Sequence, residues 1–274
     1  MNNPLFFASV GDLCLDIYPR YKKRFPGGTA FTTALHAAKA GAHANIFSAI
    51  GTDAAAQIFQ EACKKYDIDS SCIKILHGKT SNIKVHINAE GQRTFSEWEL
   101  EVLREYTLQS KDKKELEKYD VIKMTYFKPL NRLFNAFCQI NQQNTLKVAD
   151  FAGSSVYSEN FLAIQQYINR LDIIIKSLET PDNTSLSFIR ELSMQHKEKI
   201  ILTLLGEKGS IAFFNGETYI QPAIKTKVID TNGAGDAFIA HFLVTYLKKR
   251  DILPAMLEGS KAAAERISQV GLII

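Results

Sequence analysis

A short segment with closely spaced glycines carries the residues best placed for chemistry. Gly233, Ala234, Gly235 and Asp236 follow the apolar pair 228–229 and three polar residues, and an apolar run comes after them. Small residues let the backbone approach a ligand, and the first N–H groups of a helix that begins here favour an anion. Asp236 would repel a phosphate unless it removes a proton beside it, as a general base does in phosphoryl transfer. A carboxylate that only stabilises the helix N-terminus is the alternative.

Two glycine-containing segments fail as nucleotide motifs. Gly78-Lys79-Thr80 matches the end of a P-loop, but the first glycine of that motif falls on Ile73. Gly233 and Gly235 supply only two glycines of a dinucleotide fingerprint, because Phe238 stands in the third place. An NAD-binding role is therefore disfavoured.

Two further carboxylates stand after apolar runs. Asp16 lies shortly after the run 6–10, and Asp150 ends the run 145–150. Open α/β sheets bind ligands beyond the C-terminal ends of their strands, and carboxylates accept hydrogen bonds from sugar hydroxyls. Asp16 is thus a candidate sugar ligand and Asp150 a candidate to support the site. A turn residue before Pro19 and a capping residue are the respective alternatives.

Short apolar runs alternate with helical patterns along most of the chain. The predicted buried strands cover 6–10, 43–50, 119–124, 145–150, 172–176 and 200–205, and the predicted helices cover 29–40, 54–66, 131–141, 159–169, 181–195, 234–249 and 254–269. Apolar strands joined by helices form a parallel sheet covered on both faces, so the sequence predicts a doubly wound α/β fold.

Two stretches break this alternation. Residues 13–24 follow the first strand without a helical pattern, and residues 81–98 alternate around the turn 88–91, which is typical of a β-hairpin. We expect them to form a small antiparallel flap beside the main sheet. Charged hairpin residues that are candidates to contact a substrate, or else are only solvated, are Arg93, Glu97 and Glu99. No linker divides the chain, so a single domain over 1–274 is expected.

Composition restricts the class of protein further. The chain has 274 residues, 46% of them hydrophobic, and a net charge of +4. The basic clusters 22–24 and 248–250 are too short for a nucleic-acid surface, and no apolar run approaches the ~18 residues of a membrane span. The four cysteines form no C-x-x-C motif, and the apolar stretch 5–10 is too short for a signal peptide. We therefore expect a cytoplasmic protein with neither a nucleic-acid nor a membrane partner.

The segment 230–236, Asp-Thr-Asn-Gly-Ala-Gly-Asp, resembles the C-terminal signature of the ribokinase-like (PfkB) sugar kinases. Segments 11–16, 25–30 and 206–209 resemble the sugar-binding aspartate, di-glycine and nucleotide-side motifs of that family, in the same order. The stretch 11–19 is most similar to the fructoselysine 6-kinases within the family. The resemblance covers nearly the whole chain. It implies a three-layer α/β/α sandwich with a mostly parallel sheet, and a small β lid formed by about 13–24 and 81–98.

The resemblance implies a role for each matching position. Asp236 would be the catalytic base in ATP-dependent phosphorylation of a sugar hydroxyl, with a fructosamine, ketose or pentose as substrate. The anion hole would consist of Gly233, Ala234 and Gly235. The sugar would contact Asp16 and Gly28, with Thr32 and Arg93 beside them. The nucleotide would contact Gly206, Gly209, Ser260 and Ala263. Also implied are Mg²⁺, with Glu179 as a candidate ligand, a monovalent cation such as K⁺, and a homodimer through the lid.

Four positions depart from the family pattern. Thr32 stands where the family usually has asparagine, and Leu204 stands where the nucleotide turn usually begins with threonine. The stretch 176–182 lacks the Asn-x-x-Glu motif, and His241 replaces a small residue. These changes fall on binding and metal organisation and leave the base and anion hole intact. Two alternatives stay open: a weak or inactive sugar- or nucleotide-binding regulator, and a nucleoside kinase of the same fold.

Overall fold

Thirteen strands and eight helices make up the described part of the chain, which is residues 4–141, 144–153, 161–178 and 182–270 of a computed structural model. The strands are β1 (Phe6–Val10), β2 (Cys14–Tyr18), β3 (Lys23–Gly27), β4 (His43–Ile50), β5 (Ile73–Ile75), β6 (Asn82–Ile87), β7 (Arg93–Glu99), β8 (Val121–Thr125), β9 (Leu146–Asp150), β10 (Ile173–Ser177), β11 (Ile200–Leu204), β12 (Ser210–Phe214) and β13 (Glu217–Gln221). The helices are α1 (Thr29–Lys39), α2 (Ala54–Lys65), α3 (Ser110–Leu116), α4 (Asn131–Cys138), α5 (Phe161–Tyr167), α6 (Asn183–Gln195), α7 (Ala234–Lys249) and α8 (Ile252–Ile267).

Nine of the strands form one sheet in the order β13-β12-β11-β10-β9-β8-β1-β4-β5. Neighbouring strands are parallel from β5 to β11, and β12 and β13 add antiparallel at one edge. Because the parallel strands share one direction, their C-terminal ends meet along the same edge of the sheet. Ligands of open α/β sheets bind at that edge.

Helices cover both faces of this sheet, because its strands are apolar on both sides. Phe31 of α1, Phe59 of α2 and Phe242 of α7 are fully buried in the core on one face, and Phe134 and Phe137 of α4 are fully buried on the other. The result is a three-layer α/β/α sandwich, which confirms the predicted fold class. None of the described helices is long and apolar enough to cross a membrane.

The two stretches that interrupt the α/β alternation form a second, four-stranded sheet in the order β3-β2-β6-β7, called here the small sheet. The predicted hairpin is confirmed as the antiparallel pair β6–β7. The expectation of a wholly antiparallel flap is wrong in one respect, because β2 and β6 are parallel. The two halves come from distant parts of the chain, so no short turn forces them to be antiparallel.

Element boundaries match the sequence expectations where turn residues mark them, as in β1, β4 and α7. Helix α8 begins earlier than predicted, at Ile252, because the Asp251 side chain accepts a hydrogen bond from Leu253 N at 3.2 Å. Pro254 then falls in the first turn, where a backbone N–H is not needed. The β12–β13 hairpin was not predicted, although its turn Asn215-Gly216 is a hairpin signal.

Candidate active site

The C-terminal edge of the parallel strands collects buried polar side chains. Asp12 follows β1, Thr125 ends β8 and Asp150 ends β9. Since β1, β8 and β9 are neighbours in the sheet, they bring these residues to one place. Thr125 Oγ1 lies 3.5 Å from Asp150 Oδ2. Carboxylates are therefore concentrated where ligands of this architecture bind.

Asp236 reaches the same edge from the first turn of α7. Gly233 precedes the helix with a φ of 77°, a left-handed conformation that glycine adopts without strain. Asp236 Oδ1 accepts hydrogen bonds from Thr33 Oγ1 of α1 at 2.9 Å and from Lys123 Nζ of β8 at 3.1 Å. Both donors bind the same oxygen, which leaves Oδ2 for a proton transfer.

Lys123 is a fully buried cation at the centre of this group. Its ammonium donates to Thr125 Oγ1 at 2.7 Å and to Thr33 Oγ1 at 2.9 Å, in addition to its bond with Asp236. A buried ammonium needs such partners to offset its loss of hydration. Its charge also favours the ionised forms of Asp12 and Asp150. One lysine therefore interacts with three carboxylates.

Burial dominates the electrostatics of the acids at this edge. Loss of solvation raises the pKa of Asp12 to about 6, although hydrogen bonds from Thr29 oppose the shift. It raises the pKa of Asp16 to about 7, and it also raises the pKa of Asp150. The positive charges of Lys123, Lys176 and Arg266 oppose only part of these shifts, so a bound cation would be stabilised here.

Asp16, on β2, joins a buried hydrogen-bond network that leads to the anion hole. Its Oδ2 accepts a hydrogen bond from Asn232 Nδ2 at 2.7 Å, and Asn232 Nδ2 also donates to Tyr18 OH at 3.0 Å. Tyr18 OH donates to Asp230 Oδ2 at 3.0 Å. Burial and the two nearby carboxylates raise the pKa of Tyr18, so its phenol stays a neutral donor. The candidate sugar ligand is thus bonded to the segment that precedes Gly233.

The di-glycine makes room for this carboxylate. A Cβ at Gly27 would lie 2.3 Å from the Asp16 carboxyl group, and a Cβ at Gly28 would lie 2.4 Å from Asp12 O. Gly28 also has a φ of 83°, which other residues rarely adopt. Thr32 is buried one turn further on, and its hydroxyl donates to Gly28 O at 3.0 Å. Because its hydroxyl proton is donated within the helix, Thr32 can act toward a ligand only as a hydrogen-bond acceptor.

The β6–β7 hairpin contacts the segment before the anion hole. Thr231 N donates to Gly91 O at 3.1 Å, and Arg93 Nη1 donates to Thr231 O at 3.1 Å. Glu97 forms an ion pair with a lysine of β6, and Glu99 accepts a hydrogen bond from an asparagine of β6. Arg93 is thus placed at the candidate site, whereas Glu97 and Glu99 make these contacts within the small sheet.

The residues predicted to bind the nucleotide lie in a turn and on a helix. Gly206 and Gly209 form the turn between β11 and β12 with φ values of 58° and 95°. Nothing lies within 4 Å of a Cβ placed on Gly206, whereas one on Gly209 would lie 2.1 Å from Gln221 O. Ser260 is buried on α8, and Ala263 is half-buried one turn later. Their part in nucleotide binding stays a prediction.

Magnesium requires oxygen ligands, and Asp150 offers a buried carboxylate at the end of β9. Within the described ranges, no group of three or more His, Cys, Asp or Glu is arranged around a common metal position. Mg²⁺ usually takes one or two protein carboxylates and completes its shell with phosphates and water. Asp150 is buried with a raised pKa, so a cation would stabilise its charge. The candidate Glu179 lies outside the described residues, and Asp182 caps α6 through Ser185 N at 2.7 Å.

His241 follows Asp236 on α7 and contacts α1. Its ring lies 6.0 Å from that of His36, in an edge-to-face arrangement. Burial lowers the pKa of His241 and lowers that of His36 to about 3. Both rings are therefore neutral at pH 7, and the departure at position 241 brings no charge to the site.

Lys123, Thr33 and Asn232 are the site residues that sequence analysis did not single out. A lysine inside an apolar strand is a signal, because lysine is rarely buried without a partner. Thr33 lies on the buried side of α1 and carries no comparable signal. Asn232 belongs to the motif that resembles the family signature, but nothing in the sequence indicates that its side chain contacts Asp16.

The architecture and the group of residues around Asp236 agree with one family. The model for the pfkB family carbohydrate kinases matches residues 9–274, and the chain belongs to this family. The protein is accordingly a carbohydrate kinase, and the expectation drawn from its motifs is confirmed.

A curated relative supports the same assignment, and two solved structures share the fold. The chain is 28% identical over 264 residues to the fructoselysine 6-kinase of Escherichia coli (strain K12), which covers 96% of this chain and 98% of that protein. A putative ribokinase from Agrobacterium tumefaciens has a TM-score of 0.83 at 16% identity and covers 98% of this chain and 93% of its own. A double mutant of the Vibrio cholerae fructokinase, in a fructose, ADP and potassium ion bound form, has a TM-score of 0.80 at 19% identity, with coverages of 99% and 95%.

Proposed function

We propose that this kinase transfers the γ-phosphoryl group of ATP to a hydroxyl of a fructosamine, with Asp236 as the general base. The placement of Asp236 carries this proposal, because Thr33 and Lys123 hold its Oδ1 at the N-terminal end of α7. Backbone N–H groups at a helix start stabilise a phosphoryl group, and an adjacent carboxylate accepts the proton of the attacking hydroxyl. The base and the anion hole therefore lie on one helical turn.

The sugar would bind between Asp16 of the small sheet and Asp236. Asp12 interacts electrostatically with both, so the two carboxylates border a common space. An ionised Asp16 accepts hydrogen bonds from sugar hydroxyls, and the glycines at 27 and 28 keep Cβ atoms out of that space. The opposing carboxylates then hold the sugar with one hydroxyl toward Asp236 Oδ2.

The excess of carboxylates favours a sugar that carries a positive charge. Burial raises the pKa values of Asp12, Asp16 and Asp150, and the nearby charges of Lys123, Lys176 and Arg266 oppose only part of these shifts. A fructosamine has an ammonium group next to its sugar carbons, and this group would offset part of that burial cost. The fructoselysine 6-kinase relative acts, by its name, on such a compound. A neutral ketose or pentose lacks this charge and should be a weaker substrate.

Mg²⁺ would be held by the phosphates of ATP and by Asp150. It would neutralise negative charge on the transferring phosphoryl group. The protein's own residues perform the remaining tasks: the N-terminal N–H groups of α7 bind the phosphoryl oxygens, Asp236 Oδ2 accepts the proton, and Lys123 and Thr33 keep Asp236 oriented.

Turnover on a substrate panel tests this proposal. ATP consumption is measured with Mg²⁺ and fructoselysine, fructose, ribose or cytidine. We expect kcat/KM for fructoselysine to exceed that for fructose about tenfold, the ratio that one charged contact supplies. Preference for cytidine would identify a nucleoside kinase instead. No turnover on any compound, together with ligand-induced rises in melting temperature, would identify a non-catalytic binding protein.

Gly235→Ala tests the anion hole without disturbing the fold. The nearest atom to a Cβ at Gly235 is Leu204 Cδ1 at 3.9 Å, so the folded protein has room for the methyl group. Alanine in a helix is ~0.5–1 kcal/mol more stable than glycine. We expect an unchanged or higher melting temperature and a fall in kcat of about tenfold or more, because the methyl group blocks the phosphoryl oxygens. Wild-type kcat in this variant would contradict the assignment of the anion hole.

The raised pKa of Asp16 predicts a pH-dependent contribution to stability. Asp16 ionises near 3.8 when unfolded and near 7 when folded, so the folded state binds the extra proton between these values. Relative to Asp16→Asn, the wild type should therefore lose up to about 1.4 kcal/mol of unfolding free energy per pH unit as pH rises through this window. Urea unfolding at a series of pH values measures the difference.

Asp182→Asn is the matched control for this measurement. Hydrogen bonds from Ser185 lower the pKa of Asp182, which caps α6 at the surface. Its contribution has the opposite sign: it is present above the unfolded pKa and is lost as pH falls. A stability difference between wild type and Asp16→Asn that is flat from about pH 4 to 7 would show that Asp16 is ionised throughout that range.

We also propose that the small sheet acts as a lid and pairs two chains. Tyr21 and Phe95 are aromatic residues with more than a third of their surface exposed on this part of the chain, at 37% and 39%. Burial of such side chains is a common source of association energy. Light scattering should give the mass of two chains, and Phe95→Ser should lower it to that of one.

A further inference from the structure

A fully buried carboxylate lies within the segment Asp230–Gly233, called here the anion-binding loop. Asp230 has 0% of its surface exposed. Its Oδ1 accepts a hydrogen bond from Asn232 N at 2.8 Å, and its Oδ2 accepts one from Tyr18 OH at 3.0 Å. These donors are neutral, and a buried carboxylate that lacks a positive partner is strongly destabilised. The loop therefore requires a cation next to Asp230.

Arg266, on α8, supplies that positive charge. Its Nη2 lies 3.5 Å from Asp230 Oδ2, and its side chain is 5% exposed. Its Nη1 donates to Gln269 O at 3.0 Å, which orients the guanidinium. The position near the C-terminal end of α8 also suits a cation, because the helix dipole is negative there.

The backbone around Arg266 is attached to the same part of the chain. Ile267 O accepts hydrogen bonds from Ile229 N at 2.8 Å and from Asp230 N at 3.2 Å. The guanidinium thus forms an ion pair with Asp230, while Ile267, the next residue of α8, accepts hydrogen bonds from Asp230 and from the residue that precedes the loop. These backbone bonds hold this end of α8 next to the loop.

We propose that Arg266 is the built-in counter-cation of the anion-binding loop, and that this kinase works without a bound monovalent cation. A K⁺ ion beside the loop would need oxygen ligands, and the fully buried carboxylate of the loop is already paired with a guanidinium. The described residues therefore do not fit a K⁺ ion bound to Asp230, although the family resemblance implies a monovalent cation. The Vibrio cholerae fructokinase structure contains a potassium ion; here a covalently attached cation keeps the loop in shape at any salt composition.

The wild-type protein provides the first test. Turnover and melting temperature are measured in potassium chloride and in choline chloride at equal ionic strength. We expect kcat/KM to agree within about twofold and the melting temperatures to coincide. A K⁺-specific activation of about tenfold or more, or a K⁺-specific rise in melting temperature, would overturn the proposal. Turnover rests on the proposed function, whereas the melting comparison does not, so the two can fail separately.

Two variants at position 266 provide the second test. R266M removes the guanidinium that lies next to Asp230, so its melting temperature should fall in choline chloride and recover in potassium chloride. R266K keeps a positive charge and should respond to neither salt. The double variant D230N/R266M removes both charges and should melt at the same temperature in both salts, which secures the measurement if R266M does not fold in choline. An R266M protein that K⁺ does not stabilise would overturn the proposal.

Discussion

Asp236→Asn is expected to lower kcat by about 100- to 10,000-fold, the usual contribution of a general base. Asparagine has the same shape, and its side-chain oxygen can still accept the hydrogen bonds from Thr33 and Lys123 that Asp236 Oδ1 accepts at 2.9 and 3.1 Å. It cannot, however, take a proton from the attacking hydroxyl at neutral pH. Steady-state kinetics with saturating ATP and sugar measure the loss.

The same variant should still bind its ligands. The proposed anion hole consists of backbone atoms at Gly233, Ala234 and Gly235, and Asp236→Asn leaves these atoms unchanged. Rises in melting temperature with ATP or sugar should therefore match those of the wild type. Normal turnover by Asp236→Asn would show that another group removes the proton, and the proposed mechanism would then be wrong.

Lys123→Met is expected to lower kcat by about 10- to 150-fold, which corresponds to the ~1.5–3 kcal/mol of a hydrogen bond to a charged group. Methionine fills similar space but gives Asp236 Oδ1 no donor, so the carboxylate is held only by Thr33. Asp236 also repels Asp12 and Asp150, which Lys123 helps to neutralise. We expect the effect on kcat to exceed the effect on the KM for ATP.

Lys147→Met is the matched control, because Lys147 is also a buried lysine within a strand. Its ammonium donates to Ile140 O at 2.6 Å and to Cys138 O at 3.4 Å. Neither of these acceptors belongs to the candidate site. Lys147→Met should lower the melting temperature but leave kcat per folded molecule unchanged. Equal losses of kcat in the two variants would mean that Lys123 acts on stability alone.

The large sheet was predictable because each of its strands is a short apolar run with a clear end. The antiparallel edge was less predictable. Residues 206–209 match a ligand-binding turn, which does not by itself indicate a strand after it, and the hairpin turn Asn215-Gly216 follows only six residues later. The parallel pairing of β2 with β6 could not be read from sequence, because it joins segments separated by β3, α1, β4, α2 and β5. Local patterns do not record such a pairing.

Prediction of the site was limited in a similar way. The backbone of the site was predictable, because glycine permits unusual conformations. This applies to Gly28, to Gly233 and to the start of α7 directly after Gly233. Lys123, Lys147 and Lys176 all lie inside apolar strands and are all buried. Their sequence environments look alike, and only the fold shows that Lys123 faces Asp236. Thr33 is identified in the same way, through a hydrogen bond that spans 203 positions.

The segment 229–232, which leads into the proposed anion hole, has no helix or strand, yet each of its four backbone amides donates a hydrogen bond. Ile229 N and Asp230 N donate to Ile267 O, Thr231 N donates to Gly91 O, and Asn232 N donates to Asp230 Oδ1. Amides bonded in this way exchange slowly with deuterated solvent, as those of a sheet do. The conformational entropy of this segment is thus lost during folding, so phosphate binding carries no further entropic cost for ordering it. The N–H groups that we propose as ligands of the phosphoryl oxygens are therefore oriented in the free enzyme.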